Sequence, residues 1–550
     1  MLKNSSNPNT MRKLLLLNLI LAFLILPSKG QDHYERYEAI DVLTYRFEID
    51  LNDSTNMIRG TADIQIAFRK DVDQFQLDLS YNYLENSGMK VKQITEDGRD
   101  MPFLQEDDRI TLAIPLAHQG TKRNYRIIYS GIPSDGLIIS KNKFGDRTFF
   151  GDNWPNRGHH WLPLVDHPSD KAIAEFIVSA PAHYRVVAVG KNLGEKKEAG
   201  KIISHWKTTV PLSTKLMVIG VSPFAVEEMH SQSGIPVSTW VYPQNKEEGF
   251  YDYSIATKPL DFFEAYIAPF PYQKLANVQS KTVYGGMENA SCIFYHERTV
   301  TGKQDHEILF VHEIAHQWFG DAVSELNWHH IWLSEGFATY LTDIYIEQTH
   351  GRDEFVASML DEKNQVLRFA RRRLAPIIDT SLSVSVRLLN NNSYDKAGWV
   401  LHMLRHDMGD EHFQECVQTF YEKFKFGNAL TEDFLEVVET VTGKNYEPFF
   451  RQWFYQAGHP VLSAQWKKRG KKIVLTIRQH QEQHLFEFPI DIELRNDQGE
   501  AFRETLFIHS STQSFTLKPS FKTSELILDP DTWLLFESYD SPPDTVPEQH

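Results

Sequence analysis

The stretch HEIAHQWFGDAVSELNWHHIWLSEGFATY, residues 312–340, places His312 and His316 four positions apart and puts Glu335 in a second apolar run. Side chains four residues apart lie on one face of an α-helix, so both imidazoles can reach one cation. Zinc held by two histidines and one carboxylate keeps a position for water, whereas closed structural sites take four protein ligands. The stretch therefore predicts an open zinc site with His312, His316 and Glu335 as metal ligands.

Glu313 follows the first predicted ligand directly and points away from the metal axis. It stays close enough to accept a proton from water at the metal, which predicts a catalytic general base. An amphipathic helix with the same HExxH pattern on a solvated face is the alternative. Glu335 argues against it, because a carboxylate in an apolar helical run is costly to bury unless it is paired or binds a metal.

Two further segments extend the pattern on both sides of the HExxH helix. YGGMENAS, residues 284–291, precedes the helix, and SYDKAGWVL, which contains Tyr394, follows it. Residues 317–334 separate His316 from Glu335, a spacing of eighteen. In these features the chain resembles the M1 family of zinc metallopeptidases, of the aminopeptidase N and leukotriene-hydrolase type, over most of residues 32–460. The resemblance implies one zinc ion per chain and peptide substrates with a free N-terminus.

The resemblance also implies roles for the GGMEN segment and for Tyr394. A substrate backbone can lie against the glycines as an added strand, and Glu288 would bind the substrate ammonium group at a fixed distance from the metal. Tyr394 would donate a hydrogen bond to the carbonyl oxygen as negative charge develops there. A turn and a buried structural tyrosine are the alternatives. The predicted substrate-binding residues are Gly285, Gly286, Met287, Glu288 and Asn289.

Two residues are predicted to orient the metal ligands. Thr339 lies one turn after Glu335, and Asp321 follows His316 near the end of its helix, so both are candidates to accept the free ring N–H of a ligating histidine. Family members often have a second residue for the substrate amine in the N-terminal domain. Asp152 is the candidate for that position here, although the surrounding segment does not align residue for residue.

Three functions are compatible with these residues. A zinc aminopeptidase is favoured by Glu288, because a carboxylate beside the metal suits a free amino terminus. An endopeptidase with the same zinc chemistry, or a zinc-containing peptide-binding protein without turnover, are the alternatives. A binding protein has no need of Glu313 or Tyr394.

The composition favours a protein with a large core and no nucleic-acid partner. The chain has 550 residues, of which 41% are hydrophobic, and its net charge is −16. FARRRLAP, from Phe369, is interpreted as the only compact basic cluster and is predicted on an exposed helix face. Histidines outside the motif are predicted at the surface rather than at a second metal. They are His159, His160, His329, His330, His480 and His484.

The first thirty residues have the pattern of a signal peptide. Arg12 and Lys13 precede an apolar run, and Ser28 and Gly30 are small residues where signal peptidase cleaves, so the mature chain is expected to begin near Gln31. The protein is therefore predicted to be exported, to the periplasm or outside the cell, without a stable membrane partner after cleavage. An uncleaved membrane anchor is the alternative.

The distribution of strand and helix patterns predicts a multidomain α+β protein. We expect an N-terminal all-β domain at 31–226, a mostly helical, thermolysin-like catalytic domain at 227–455 and a small C-terminal β-sandwich at 456–538. Residues 539–550 are predicted to be a disordered tail. We expect this chain to lack the large helical C-terminal domain that many members of the resembled family have.

Overall fold

The computed structural model describes residues 37–81, 87–106 and 108–539. The predicted signal segment and the predicted disordered tail, apart from Tyr539, lie outside these residues. Among the helices of the described ranges, none is both long enough and apolar enough to cross a membrane.

The N-terminal region is built from β-strands with alternating burial. Along β1 (Ile40–Asp50) and β2 (Ile58–Phe68) buried side chains alternate with more accessible ones, as expected for strands with one face on a core. The other strands of this region are β3 (Val72–Asp78), β4 (Gly88–Glu96), β5 (Arg99–Asp100), β6 (Phe103–Glu106), β7 (Arg109–Ala117), β8 (Lys122–Ile132), β9 (Leu137–Lys141), β10 (Arg147–Gly151), β11 (Lys171–Pro181), β12 (Arg185–Ala188), β13 (Lys191–Glu198), β14 (Lys201–Lys207), β15 (Leu212–Ser213) and β16 (Ile219–Ser222).

These strands form three sheets. The largest has nine strands in the order β13-β14-β11-β1-β2-β8-β4-β5, with β15 attached to β11. Its only parallel pair among the described strands is β1 with β11. The smaller sheets have the orders β12-β16-β10-β9 and β3-β7-β6.

The middle region combines one five-stranded sheet with a layer of helices. The sheet has the order β17-β18-β19-β21-β20, so the short strand β20 lies at its edge. The strands of this region are β17 (Ala225–His230), β18 (Pro236–Val241), β19 (Leu275–Ser280), β20 (Gly286–Met287), β21 (Cys292–His296), β22 (Ser324–Glu325) and β23 (Asn428–Ala429). Strand β17 spans residue 226, the predicted domain boundary. It pairs with β18 and so belongs to the sheet of the middle region.

The helices of the middle region surround one central helix. The central helix, α4 (Trp332–Thr349), is buried along most of its length, because it packs against α3 (Glu307–Ala315), α5 (Arg352–Arg372) and α6 (Ala397–Met408). The α-helices in the described ranges are α1 (Lys246–Tyr253), α2 (Thr257–Tyr266), α3 (Glu307–Ala315), α4 (Trp332–Thr349), α5 (Arg352–Arg372), α6 (Ala397–Met408), α7 (Asp410–Phe424), α8 (Thr431–Thr442) and α9 (Glu447–Phe454).

The C-terminal region returns to β-structure, in two sheets of order β28-β25-β24-β30 and β27-β26-β29. Its strands are β24 (Val461–Arg469), β25 (Lys472–Gln479), β26 (Phe488–Arg495), β27 (Ala501–Ile508), β28 (Thr512–Leu517), β29 (Glu525–Leu528) and β30 (Glu537–Ser538). The succession of a β-rich region, a helical region and C-terminal strands confirms the predicted mixed α+β class.

The predicted surface placement of the other histidines is wrong for three of them. His160, His329 and His330 are buried. Each finds a polar partner in the interior, so burial does not leave its ring nitrogens unsatisfied. The Nδ1 atom of His160 lies 2.7 Å from Ser134 Oγ, Nε2 of His329 lies 3.2 Å from the Leu382 carbonyl, and Nδ1 of His330 lies 2.9 Å from Thr431 Oγ1.

Candidate active site

The three predicted metal ligands meet where helices α3 and α4 pack together. His312 is in the last turn of α3, His316 follows the end of that helix, and Glu335 lies in the first turn of α4. The Nε2 atoms of His312 and His316 are 3.1 Å apart. Glu335 Oε2 lies 3.3 Å from His316 Nε2 and 3.7 Å from His312 Nε2. The structure therefore brings all three donor atoms together.

This donor set fits a zinc ion. Ligands at zinc distances in a tetrahedral arrangement lie about 3.3 Å from one another, which agrees with the separations in the structure. Two imidazole nitrogens and one carboxylate oxygen are ligands that zinc accepts, and three protein ligands leave one position open. His316 and Glu335 are buried, so neither ligand has bulk water as an alternative partner.

The ionisation of the ligands shows that this cluster attracts positive charge. Burial acts to lower the pKa of His316, but the carboxylates of Glu335 and Glu288 raise it to about 10. Burial acts to raise the pKa of Glu335, yet the charge of His316 and hydrogen bonds from both histidines lower it overall. Both shifts arise from the attraction between the His316 ring and the neighbouring carboxylates, which concentrate negative charge at this cluster.

The far side of the His316 ring is held by residues other than those predicted. Its Nδ1 atom lies 3.1 Å from the Phe319 carbonyl and 3.1 Å from Ser334 Oγ. Gly320 makes room for this arrangement, since a Cβ there would lie 2.4 Å from Ser334 Oγ. Thr339 lies instead against Gly398 of α6. No hydrogen bond within the described part of the chain joins Thr339 to either histidine.

Asp321 is fully buried, and its carboxylate bonds to Gln317 rather than to a ligand ring. It accepts a hydrogen bond of 2.9 Å from Gln317 Nε2. The same Gln317 amide donates to the Glu288 carbonyl at 2.6 Å and accepts from the Ser291 N–H at 2.7 Å. Gln317, which directly follows the second ligand, thus ties the HExxH helix to the segment that carries Glu288.

The GGMEN segment supplies the exposed edge of the five-stranded sheet. Gly286 pairs with Tyr295 and Met287 with Phe294, on one side only. An edge strand presents unpaired backbone groups to an extended peptide. Gly286 packs directly on the predicted base, since a Cβ there would lie 2.2 Å from Glu313 Oε1. A side chain at position 286 would therefore displace Glu313.

Glu288 lies beside the metal ligands with one oxygen unsatisfied. Its side chain is 4% exposed, and Oε1 has no hydrogen-bond partner among the described residues. One ligand atom each from Glu288, Glu313 and His316 lies within 4.8 Å of the others. Burial raises the pKa of Glu288, and the positive charges of His316 and Lys215 oppose that rise. A cationic group is the partner that this carboxylate lacks.

Two buried lysines of the N-terminal region contact the segment between α3 and α4. Lys215 Nζ lies 2.6 Å from Glu325 Oε1, and their side chains are 1% and 0% exposed. Lys171 donates to the carbonyl oxygens of Asp321 and Ala322 at 3.1 Å and 2.9 Å. Burial lowers the pKa of Lys171 to about 7. These contacts join the N-terminal region to the segment between α3 and α4, and they were not predicted from the sequence.

Tyr394 lies in a π-helical turn, Asn392–Lys396, immediately before α6. Its ring is stacked on His312 at 6.2 Å between centroids, with 16° between the planes. Burial and the nearby charge of Glu335 raise its pKa well above the ordinary value. The phenol therefore stays protonated at neutral pH and remains a hydrogen-bond donor beside the metal ligands.

A cavity of about 230 Å³ is lined by these groups and by apolar side chains. Trp154, Tyr284, Leu309 and Leu389 line it together with the site residues. Trp154 packs edge-on against Tyr284, with ring centroids 6.2 Å apart. The sequence reasoning missed Trp154, although it lies two positions after Asp152.

Asp152 is not among the residues that line this cavity. It is fully buried and forms an ion pair with Arg157. It also accepts hydrogen bonds of 3.3 Å from Thr282 Oγ1 and from the Val283 N–H. Asp152 therefore holds the residues that lead into the GGMEN segment. Both of its oxygens are bound by protein donors, so neither is directed at a substrate amine.

The fold and the site define a metallopeptidase class of protein, and comparisons with known proteins agree. Residues 251–453 match the peptidase family M1 domain and residues 32–216 match the peptidase M1 N-terminal domain. Together the two matches cover well over half of the chain, and the chain belongs to peptidase family M1.

Individual relatives resemble parts of the chain at low identity. A leucyl aminopeptidase of Saccharolobus solfataricus is 24% identical over 489 residues, which are 83% of this chain and 59% of the relative. The glutamyl aminopeptidase of Rattus norvegicus is 27% identical over 338 residues, 58% of this chain and 35% of the relative. The chain therefore spans well under two thirds of the length of these relatives.

A solved structure shows the same fold. The M1 zinc metallopeptidase from Deinococcus radiodurans, in a mutant form, superposes with a TM-score of 0.64 at 19% identity. The match covers 77% of this chain and 96% of that one.

Proposed function

We propose that this chain is a zinc-dependent aminopeptidase that removes the N-terminal residue of peptides. The observation that carries the proposal is the buried Glu288 carboxylate, which has an unsatisfied Oε1 and one oxygen within 4.8 Å of ligand atoms of Glu313 and His316. A substrate ammonium group would satisfy that oxygen. The names of the relatives support the same reaction.

Each residue of the site has a part in peptide hydrolysis. His312, His316 and Glu335 would hold zinc, which when bound supplies an activated water and polarises the substrate carbonyl. Glu313 takes the proton from the attacking water and delivers it to the leaving amine. Tyr394 donates a hydrogen bond to the carbonyl oxygen as its negative charge grows. The edge of β20 holds the substrate backbone in register.

The position of Glu288 favours an exopeptidase over an endopeptidase. A carboxylate buried so close to the metal ligands leaves space for about one residue between the amine and the scissile bond. A substrate that continued past this point would bury Glu288 without a cationic partner, which is costly. Chain ends with a free amine are therefore the substrates that the cavity accepts.

A paired-substrate assay tests this proposal. We expect an aminoacyl fluorogenic substrate to be cleaved, its N-acetylated form to be cleaved at least about 100-fold more slowly, and chelation to abolish turnover until zinc is restored. Glu288→Gln should reduce the preference for the free amine. The control Glu297→Gln changes the buried glutamate that directly follows β21 and should not reduce that preference. Equal cleavage of blocked and free substrates would reassign the chain to endopeptidases.

We further propose that the chain is exported. Arg12 and Lys13 before the apolar run, and the small residues Ser28 and Gly30, support a cleaved signal segment. Expression of the full sequence followed by mass spectrometry of the mature N-terminus tests this. A new N-terminus near Gln31 is the expected result, and an intact Arg12 in mature protein would contradict it.

A further inference from the structure

The hairpin of β24 and β25 carries a dense group of positive charges in a chain whose net charge is −16. WKKRGKK, residues 466–472, has five lysine or arginine side chains in its last six positions. All five are exposed, and none forms an ion pair with an acidic side chain of the described residues. Lys522, from the loop after β28, lies against the same hairpin and is likewise exposed.

Lys468 occupies an inward-facing position at the end of this hairpin. It is the register partner of Ile473, which is 3% exposed and belongs to the core. Directly paired residues of an antiparallel ladder project from the same face of the sheet. The Lys468 side chain therefore projects from the same face as Ile473, near the turn of the β24–β25 hairpin. Its ammonium nitrogen lies 5.8 Å from the centre of the Trp466 ring.

The loop from β28 to β29 connects the two C-terminal sheets and passes beside the turn of the β24–β25 hairpin. Within that loop Thr523 is 1% exposed, and its hydroxyl has no hydrogen-bond partner among the described residues. Hairpin and loop together enclose a depression of about 300 Å³. Lys468, Lys471, Lys472, Lys522 and Thr523 line it.

We propose that this depression is a binding site for phosphate groups. Ammonium groups are donors without acceptor capacity, and an unpartnered threonine hydroxyl adds one neutral donor, so the lining suits a ligand made of acceptor oxygens. A phosphate group offers several such oxygens and up to two negative charges, which match closely spaced lysines better than one carboxylate does. The phosphate is either a free anion or part of an anionic lipid headgroup.

Direct binding measurements with the full chain test the site. Inorganic pyrophosphate is titrated by calorimetry at low ionic strength, and vesicles of phosphatidylglycerol are compared with vesicles of phosphatidylcholine by co-sedimentation. We expect binding of pyrophosphate or of the anionic vesicles, and loss of at least about tenfold in affinity for a K468Q, K471Q, K472Q triple variant. Thr523→Val should weaken binding about threefold, because it removes one donor at constant shape.

Matched variants separate a built site from general surface charge. Lys191, Lys196 and Lys197 are exposed lysines on the β13–β14 hairpin, and their triple change to glutamine removes the same charge. We expect this control to retain binding. Pyrophosphate binding with the expected variant response assigns a free anion, and vesicle binding alone assigns a headgroup.

Three results would overturn the proposal. They are no binding of either probe, equal loss in the two triple variants, and tighter binding of a single-stranded oligonucleotide than of pyrophosphate at equal phosphate concentration. Peptidase turnover is measured in parallel and is expected to be unchanged in every hairpin variant. A failure of this site is therefore distinguishable from a failure of the proposed peptidase function.

Discussion

The two halves of the active site are built in different ways. The metal half comes from the packed helices α3 and α4. Its residues His312, His316 and Glu335 lie within one stretch of 24 residues in the sequence. The substrate half comes from the edge strand β20 and depends on contacts with the N-terminal region, such as the hydrogen bonds that Asp152 accepts from Thr282 and Val283 ahead of β20. Local helical spacing fixes the first half, and long-range packing fixes the second.

This difference predicts different kinetic effects from the two halves. Under the proposed function, residues of the metal half act on groups that change charge during the reaction, so their loss should lower kcat. Residues of the substrate half would hold the peptide equally before and during reaction, so their loss should raise KM.

Glu313→Gln is the largest expected change and tests the metal half. Glutamine keeps the shape but accepts no proton at neutral pH, so kcat should fall about 1000-fold or more. Zinc content, measured by elemental analysis, should remain at one ion per chain, because Glu313 is not a ligand. Glu307→Gln, the same change at the start of α3, is the control and should keep nearly full activity. Retention of a substantial fraction of turnover by Glu313→Gln would remove the assignment of the base.

Lys215→Met tests how the N-terminal region supports the segment between α3 and α4. Breaking a fully buried ion pair leaves Glu325 as an uncompensated charge, and this typically costs about 3–5 kcal/mol in the free energy of unfolding. The double variant K215M with E325L removes both charges and should recover most of that loss. Unfolding in urea measures both variants. If the single and double variants were equally stable, the pair would have no role in joining the N-terminal region to the site.

Tyr394→Phe separates the phenol hydroxyl from the ring that stacks on His312. The ring contact survives, but the donor to the developing oxyanion is lost, so kcat should fall about 100-fold with little change in KM. Steady-state kinetics on a free-amine substrate measures the two constants. Tyr455→Phe, at a tyrosine whose hydroxyl donates to Glu432, is the control. A rise in KM at constant kcat would move Tyr394 into the substrate half.

The sequence predicted the metal half and the strand character of much of the chain, since both depend on short-range periodicity. HExxH and the spacing to Glu335 specify one helix face and a second helix, and the structure brings those ligands together. Lys215 and Trp154 could not be found in this way. They reach the site from residues more than a hundred positions away, and nothing near them in sequence marks their partners.

The interpretation of FARRRLAP as the only compact basic cluster was wrong, because the sequence has a second one in WKKRGKK, residues 466–472. Two of the arginines of FARRRLAP are paired. Arg371 of that run pairs with Glu537, and Arg373 pairs with Asp379. The hairpin 466–472 has more positive charge, and its cations have no acidic partner in the described part of the structure. Charge density along a sequence does not reveal which cations are neutralised by the fold.

Ser334→Ala gives the smallest expected effect and decides which residue orients the metal ligands. When Nε2 of His316 binds a metal, Nδ1 carries the proton and donates to both the Phe319 carbonyl and Ser334 Oγ. Alanine removes one of these two acceptors, so zinc affinity should fall about tenfold, as measured by competition with a chelator. Thr339→Val is the matched control and should change that affinity less than about twofold, because its hydroxyl has no contact with the ring. A larger loss from Thr339→Val than from Ser334→Ala would mean that Thr339, and not Ser334, sets the orientation of His316.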